Sequence, residues 1–383
     1  MKFKLRLGLA ALLMSMFLFL SCDAFLGWLF EEEEDNNNNN NSNNNQPGNE
    51  INNENPDFQK TIDKILSDYY ENNQLRGGVS LAITRNEKLV YAGAVGYADR
   101  SNTVKLTPQH TMRLASVSKP ITSIAIAKLS DDGKLSLDDN VFGTNGILKN
   151  GLGMPTFNGT PVDVTVRQIL EHKAGFKRDI WRSPGWNFVV DASTIAEPLE
   201  FAPGTITQYS NFAYNILGKV IEAVTEMPYE EYVREYVLKL CGITEMRVGA
   251  NTSGTGEVEY INRNFNYNEN NAPGPSGGWI ASPIDLMKLM AHVDGFSNVP
   301  DILKSDTPRI NVHSHGGALN FGTWTALHRR ADGFTWTLLM NYRPSKEDQG
   351  SFVDWQEIPH ISVFNKIRET IKEWPEGTDL SQF

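Results

Sequence analysis

The sequence predicts an α+β fold in which one antiparallel sheet is built from both ends of the chain. Short apolar segments separated by polar turns occur near the beginning and near the end of the globular part, and this pattern is typical of β-hairpins. The region between them, about residues 130–290, is rich in loops and in apolar residues at helical spacing. We therefore expect a sheet flanked by helices, with a mostly helical lobe inserted.

The individual elements follow from the same patterns. Helical spacing of apolar residues predicts a first helix over about 57–72. Residues 79–84 and 89–96 flank a polar turn, which predicts the first hairpin. A second helix is predicted over 116–130, packed on its apolar side. The remaining predicted elements are helices over 165–172 and 211–225, a helix after the N-cap Ser282, strands over 323–330 and 334–342, and a last helix over 361–373.

The N-terminus has the pattern of an export signal. Three basic residues within the first six precede an apolar segment that ends at Leu20-Ser21-Cys22. This arrangement resembles a bacterial lipobox, which implies cleavage before Cys22 and an acyl anchor on that cysteine. The sequence thus predicts a signal peptide at 1–21 and a protein of the bacterial cell envelope, lipid-anchored to a membrane and facing the periplasm or exterior. An uncleaved membrane anchor and plain secretion are the alternatives.

The linker is predicted at residues 22–55, and from residue 31 onward it is acidic and then rich in asparagine. Such a segment has too little apolar surface to offset the entropy of ordering it, so we predict a disordered tether. The packed domain is accordingly expected over residues 56–383.

Composition excludes some classes of partner and site. The formal net charge is −11, whereas nucleic-acid binding requires clustered lysine and arginine, so no nucleic-acid partner is expected. With Cys22 lipidated, Cys241 has no cysteine to pair with and is predicted to be a small buried apolar residue. No phosphate-binding loop, His-Glu-x-x-His segment or paired-cysteine metal site is present in the sequence, so neither a metal nor a cofactor is expected.

Ser116 and Lys119 form the first candidate chemical motif, Ser-Val-Ser-Lys. Residues three apart share one face of a helix, so the lysine amine can reach the serine hydroxyl. A serine hydroxyl is a weak nucleophile and requires a base or a charge to activate it. By itself the pair is a common chance occurrence, and companion motifs decide its meaning.

Two companion segments follow in the chain. In Tyr209-Ser210-Asn211, the tyrosine can relay a proton and the asparagine can bind a substrate carbonyl or the lysine. In His315-Gly316-Gly317-Ala318, glycine allows a substrate to approach the backbone closely. Packing roles are the alternatives: a helix-entry aromatic for Tyr209, a helix cap for Asn211 and a packed or surface residue for His315.

The three segments, in this order, resemble the serine β-lactamase and penicillin-binding protein family, which includes class C β-lactamases, DD-peptidases and esterase relatives. The resemblance covers about residues 58–345, and the segments at 164–176 and 277–286 add to it; His172 in the former is interpreted as structural. It implies a β-lactamase/transpeptidase-like fold and an acyl-enzyme mechanism. In that mechanism Lys119, helped by Tyr209, takes the proton of Ser116.

Further site roles are implied by the same resemblance. Asn211, His315 and Gly317 would border the substrate, and the backbone N–H groups of Ser116 and Ala318 would form the oxyanion hole. No metal is implied.

Two departures from the family pattern bear on the substrate. His315 replaces the lysine of most β-lactamases, which favours an esterase or peptidase over a β-lactamase. Leu319-Asn320-Phe321 replaces the more usual Pro-Gly beside the site. The expected partner is a small-molecule or peptide substrate, and the carbonyl attacked is that of an ester, an amide or a β-lactam. A DD-peptidase or D-aminopeptidase on cell-wall peptides, and a sensor domain that acylates without turnover, are the alternatives.

Overall fold

The structure is a computed structural model that describes residues 56–149, 151–177, 189–249, 256–261, 273–319, 322–343 and 360–383. The predicted signal peptide at 1–21 and tether at 22–55, with Cys22, lie outside the described residues. Across the described ranges, no helix has both the length and the apolarity needed to cross a membrane.

Eleven strands and eight α-helices make up the described part. The strands are β1 (Gly78–Arg85), β2 (Lys88–Gly96), β3 (Met112–Arg113), β4 (Thr156–Phe157), β5 (Thr160–Pro161), β6 (Arg247–Val248), β7 (Trp279–Ala281), β8 (Ser314–Leu319), β9 (Thr323–Arg329), β10 (Phe334–Met340) and β11 (Thr378–Asp379). The helices are α1 (Pro56–Asn72), α2 (Ser118–Asp131), α3 (Val166–Leu170), α4 (Ala192–Ile195), α5 (Asn211–Thr225), α6 (Tyr229–Val233), α7 (Pro283–Ala291) and α8 (His360–Thr370).

The main sheet joins both ends of the chain, as the sequence predicts. Its six strands run in the order β11-β2-β1-β10-β9-β8, and every neighbouring pair is antiparallel. The N-terminal strand β1 lies in the middle and pairs with the C-terminal strand β10, with Val79 opposite Met340. Strand β8 is at one edge, so one of its sides has no strand partner within this sheet.

The sheet separates two apolar cores. On one face, α1 and α8 cover alternate residues of the central strands, among them Leu81, Trp336 and Leu338. On the other face, residues such as Leu327 and Leu339 pack against the helical lobe. Each buried side chain of this size contributes about 1.5–3 kcal/mol relative to exposure, so both layers stabilise the sheet. These features confirm the predicted α+β class.

Helix α2 is buried more completely than the sequence predicts. An apolar side was expected, but all residues from Ser118 to Ala127 are buried, together with Leu129. The helix is enclosed because α5, α6 and the turn at Gly274–Gly278 pack around it. Its polar residues Ser118 and Thr122 are therefore satisfied by partners in the lobe: Ser118 Oγ accepts the N–H of Trp279, and Thr122 Oγ1 donates to the carbonyl of Pro275.

Candidate active site

Ser116 lies in a 3-10 turn, Ala115–Val117, immediately before α2. The sequence predicted that the helix starts at Ser116, but the α-helix starts at Ser118. The turn begins with Ala115 at φ +50°, a left-handed conformation that a residue with a Cβ rarely adopts. Strain of this kind persists only where the surrounding structure enforces it, and it clusters at functional sites.

Lys119 is fully buried, one turn after Ser116. Its Nζ donates to three oxygen atoms: Ser116 Oγ at 3.2 Å, Asn211 Oδ1 at 2.7 Å and the carbonyl of Ser276 at 2.6 Å. It also lies 4.6 Å from the centre of the Tyr209 ring. The three acceptors match the three hydrogens of an ammonium group.

Tyr209 and Asn211 come from the start of α5. Helix α5 is capped by Ser210, whose hydroxyl accepts the N–H of Ala213, so the cap is Ser210 and not Asn211. Tyr209 Oη lies 2.6 Å from Ser116 Oγ and 3.2 Å from Asn211 Oδ1, both within hydrogen-bond distance. Tyr209 and Asn211, one on each side of the cap residue, thus contact Ser116 and Lys119 from the helical lobe.

His315 lies on the edge strand β8 and is buried, with 7% of its surface exposed. Burial, with a smaller contribution from the charge of Lys119, lowers the pKa of its imidazole to about 3. Its Nδ1 lies 2.5 Å from the carbonyl of Gly316, which can only accept, so the proton of the neutral ring is on Nδ1. Its ring centre is 6.0 Å from that of Tyr209.

Gly317 brings the backbone of β8 against the turn of Ser116. A Cβ built on Gly317 would overlap the carbonyl oxygen of Leu114 and lie 3.0 Å from the backbone N of Ser116. Only a residue without a side chain allows this approach. Ala318 follows on the same strand, opposite Trp324 of β9. The predicted proximity of Ser116 to the glycine segment is therefore present.

His172, which the sequence analysis interpreted as structural, is buried against the predicted site. Its Nδ1 accepts the N–H of Ser210, and its ring centre is 4.9 Å from that of Tyr209. Burial, and then the charge of Lys119 and the neighbouring His315, hold the pKa of His172 well below its usual value. The neutral His172 ring packs against the Tyr209 ring and accepts a backbone hydrogen bond, so its role within the site is structural.

The sequence did not predict one contact of the site, which is made by the carbonyl of Ser276. The carbonyl of Ser276, in the π-helical turn Gly274–Gly278, accepts from Lys119. A backbone acceptor leaves no signature of residue type. The only available signal was position, since Ser276 directly precedes the recognised segment that begins at Gly277.

Outside this cluster, two findings bear on other chemistry. Cys241 is buried as predicted, and burial raises the pKa of its thiol to about 12. In the part of the chain that the structure describes, no group of three or more histidine, cysteine, aspartate or glutamate side chains is placed to hold a metal ion.

Curated relatives match parts of the chain. Protein flp of Staphylococcus aureus strain N315 is 30% identical over 190 residues, which are 48% of this chain and 37% of that protein. The D-alanyl-D-alanine-carboxypeptidase/endopeptidase AmpH of Escherichia coli strain K12 is 24% identical over 249 residues, 61% of this chain and 62% of that protein. The matched segments thus span less than two thirds of either relative.

The fold and the family follow from two further comparisons. The solved structure of D-amino acid amidase from Ochrobactrum anthropi SV3 shares the fold, with a TM-score of 0.63 at 20% identity over 82% of this chain and 98% of that chain. The profile described as Beta-lactamase matches residues 60–339. Because this match includes Ser116, Tyr209 and His315 and covers most of the chain, the protein belongs to the Beta-lactamase family.

Proposed function

We propose that this protein is a serine hydrolase that forms an acyl-enzyme at Ser116. The observation that carries the proposal is the convergence of Tyr209 Oη and Lys119 Nζ on Ser116 Oγ, at 2.6 Å and 3.2 Å. A serine, a proton acceptor and a buried cation in contact are the parts that nucleophilic catalysis requires. Membership of the Beta-lactamase family supports the same conclusion.

The contacts support a more detailed proposal for the proton transfer. Lys119 already donates to three oxygens, which is the pattern of a protonated amine without a free lone pair. Tyr209 Oη is the closer group to Ser116 Oγ. We therefore assign Tyr209, as phenolate, the role of proton acceptor, with the Lys119 ammonium stabilising its negative charge. The sequence alone predicts that Lys119, helped by Tyr209, accepts this proton.

The acyl transfer then proceeds in two steps. Ser116 Oγ gives its proton to Tyr209 and bonds to the substrate carbonyl carbon, and the backbone N–H groups of Ser116 and Ala318 stabilise the oxyanion. When the bond to the leaving group breaks, that group takes the proton from Tyr209. Water then attacks the carbonyl carbon of the acyl-enzyme ester and gives a proton to Tyr209. When the bond to Ser116 Oγ breaks, Tyr209 returns the proton to Oγ and the carboxylic acid product is released.

The state of His315 favours esters and amides as substrates. A neutral imidazole supplies no positive charge to pair with a substrate carboxylate, the role that a lysine at this position serves in most β-lactamases. A solved structure named as a D-amino acid amidase supports amides within that class. We therefore place short esters and amides, including D-amino acid amides, ahead of β-lactams.

Covalent labelling tests the nucleophile. The full chain and its Ser116→Ala variant are treated with a fluorophosphonate, in which Oγ bonds to phosphorus as fluoride leaves. We expect one adduct per chain on the parent and none on the variant, measured by intact mass. The proposal is wrong if folded parent protein, verified by circular dichroism, forms no adduct.

Turnover separates the substrate classes. Rates are compared for a short acyl ester, a D-amino acid amide and a chromogenic cephalosporin, with the Ser116→Ala variant as background. Hydrolysis of the ester or the amide is expected to exceed that of the cephalosporin. A stoichiometric adduct without turnover of any of the three would favour a sensor domain.

We also propose that the protein is a lipoprotein of the bacterial cell envelope. The proposal rests on the basic and apolar N-terminus followed by Cys22. Expression in a bacterium and detergent phase separation should place the parent in the detergent phase with a mass shift from acylation. The Cys22→Ala variant should lose that mass shift. An unmodified Cys22 in the membrane fraction would instead indicate an uncleaved anchor.

A further inference from the structure

A side chain of the main sheet is hydrogen-bonded to the backbone at the start of the turn that carries Ser116. Thr325, on β9, is fully buried, and its hydroxyl donates to the carbonyl of Leu114 at 2.7 Å. Leu114 is the residue before the strained Ala115, and its carbonyl also accepts the N–H of Val117, which closes the turn. The hydroxyl of Thr325 therefore binds the residue that caps the start of the turn.

The same threonine meets the glycine segment of β8. Thr325 is directly opposite Gly317 in the β8–β9 ladder. A Cβ on Gly317 would overlap both Thr325 Oγ1 and the Leu114 carbonyl, and it would approach Ser116 N. The Ser116 turn and the Thr325 hydroxyl thus both pack against the backbone of β8 at Gly317, in the space that a side chain would otherwise fill.

Resting on the proposed function, we infer that Thr325 is a positioning residue for acyl transfer. Its hydrogen bond ties the Ser116 turn to β9, the strand that pairs with β8. It thereby fixes the separation between the N–H of Ser116 and the N–H of Ala318. Donors in an oxyanion hole act only where they are held at the position that the charge will occupy. A left-handed alanine returns to a relaxed conformation unless its neighbours hold it, and Thr325 is such a neighbour.

Substitutions that differ by one atom group test the inference on the full chain. Thr325→Val keeps the shape and removes the hydroxyl, whereas Thr325→Ser keeps the hydroxyl. Thr337→Val is the matched control, because Thr337 is fully buried on β10 and donates in the same way, to the carbonyl of Ala326 at 2.8 Å. Thr337 is paired with Leu327 in the sheet and belongs to no part of the proposed site.

Fluorophosphonate labelling rate, kcat and KM for a short ester and melting temperature are measured for each variant. For Thr325→Val we expect labelling and kcat to fall by about 10- to 100-fold with KM within about threefold, since a displacement of positioned groups by ~1 Å costs about 100-fold and a smaller one costs less. Thr325→Ser should stay within about threefold of the parent. Thr337→Val should lower the melting temperature comparably and leave kcat unchanged.

Other outcomes would overturn the inference. If Thr325→Val labels as fast as Thr337→Val, or if Thr325→Ser loses as much as Thr325→Val, the hydroxyl does not position the turn. If Thr325→Val fails to fold, the smaller Thr325→Ala takes its place with the same expected loss. A parent that forms no adduct would refute the proposed function and this inference together, whereas a reactive parent with an equally reactive Thr325→Val refutes this inference alone.

Discussion

Substitution of Gly317 by alanine is the sharpest perturbation of the site that the structure offers. The added Cβ would overlap Thr325 Oγ1 and the backbone oxygen of Leu114, and it would lie 3.0 Å from Ser116 N. A threonine side chain can rotate, but a backbone carbonyl in a buried turn cannot move alone. The Ser116 turn and strand β8 must therefore move apart.

The size of the effect follows from the distances. Ordinary contact of a Cβ begins at 3.4 Å, so the two backbones must separate by about 1 Å. Such a displacement costs about 100-fold in rate, and loss of one oxyanion donor costs about 100- to 1,000-fold. We expect kcat to fall by about 100- to 1,000-fold. Overpacking should also cost about 1–3 kcal/mol of unfolding free energy.

The control is the neighbouring residue. A Cβ on Gly316 would meet nothing within 4 Å, so Gly316→Ala should leave folding and kcat close to those of the parent. Both variants are assayed for ester hydrolysis, fluorophosphonate labelling and urea unfolding. A Gly317→Ala protein with parental kcat would refute the claim that β8 contacts the nucleophile turn. Equal losses of kcat in Gly316→Ala and Gly317→Ala would show that any substitution on β8 lowers activity, whether or not it disturbs the contact with the Ser116 turn.

Three further predictions concern buried titratable groups. Burial, with smaller contributions from Glu87 and Asp301, raises the pKa of Asp294 from 3.8 to about 7. As the pH rises from about 4 through about 7, the buried Asp294 carboxyl becomes charged and the free energy of unfolding decreases. Asp294→Asn should therefore raise the melting temperature at pH 8 and change it little at pH 4. Folding lowers the pKa of His315 from 6.5 to about 3. Between pH 6.5 and pH 3 the His315 imidazole is therefore protonated in the unfolded chain and neutral in the folded one. Stability should therefore fall as the pH drops from 6.5 toward 3, by at most about 1.4 kcal/mol per pH unit, and His315→Asn should show a shallower fall. The thiol of Cys241, with its pKa raised to about 12, should resist iodoacetamide at pH 8 in the folded protein and react in urea.

Each of these has an opposite outcome. A melting-temperature difference for Asp294→Asn that is independent of pH would show that the carboxyl is already charged throughout. An equal acid dependence in the parent and in His315→Asn would assign the effect to other groups, such as the buried His172 and the half-buried His313, whose pKa values are also lowered. Modification of Cys241 in the folded protein, located by peptide mass, would contradict its burial.

The sequence predicted the fold class because its signals are local. Short apolar segments on either side of a turn define β1–β2 and β9–β10, and helical spacing defines α1 and α5. The reach of Lys119 to Ser116 is also local, since it depends only on a spacing of three residues in one helical segment. Where the sequence erred, at the start of α2, the 3-10 turn depends on contacts that no local pattern encodes.

The recognised segments predicted that Tyr209, Asn211 and His315 would share a site, but the sequence could not give their geometry. Only the order of strands and the packing of α5 on α2 decide that Tyr209 Oη lies 2.6 Å from Ser116 Oγ. The same holds for the contacts of Lys119, whose Nζ donates to the carbonyl of Ser276, 157 residues away in the chain.

What the sequence by itself determined is therefore the set of reactive residue types and the elements that carry them. The tertiary structure alone decided three properties of the site: the strained turn at Ala115, its support by Thr325, and the neutral state of His315. The physical reason is that hydrogen bonds, burial and strain are set by atoms distant in the chain, which meet only after the sheet and the lobe have packed.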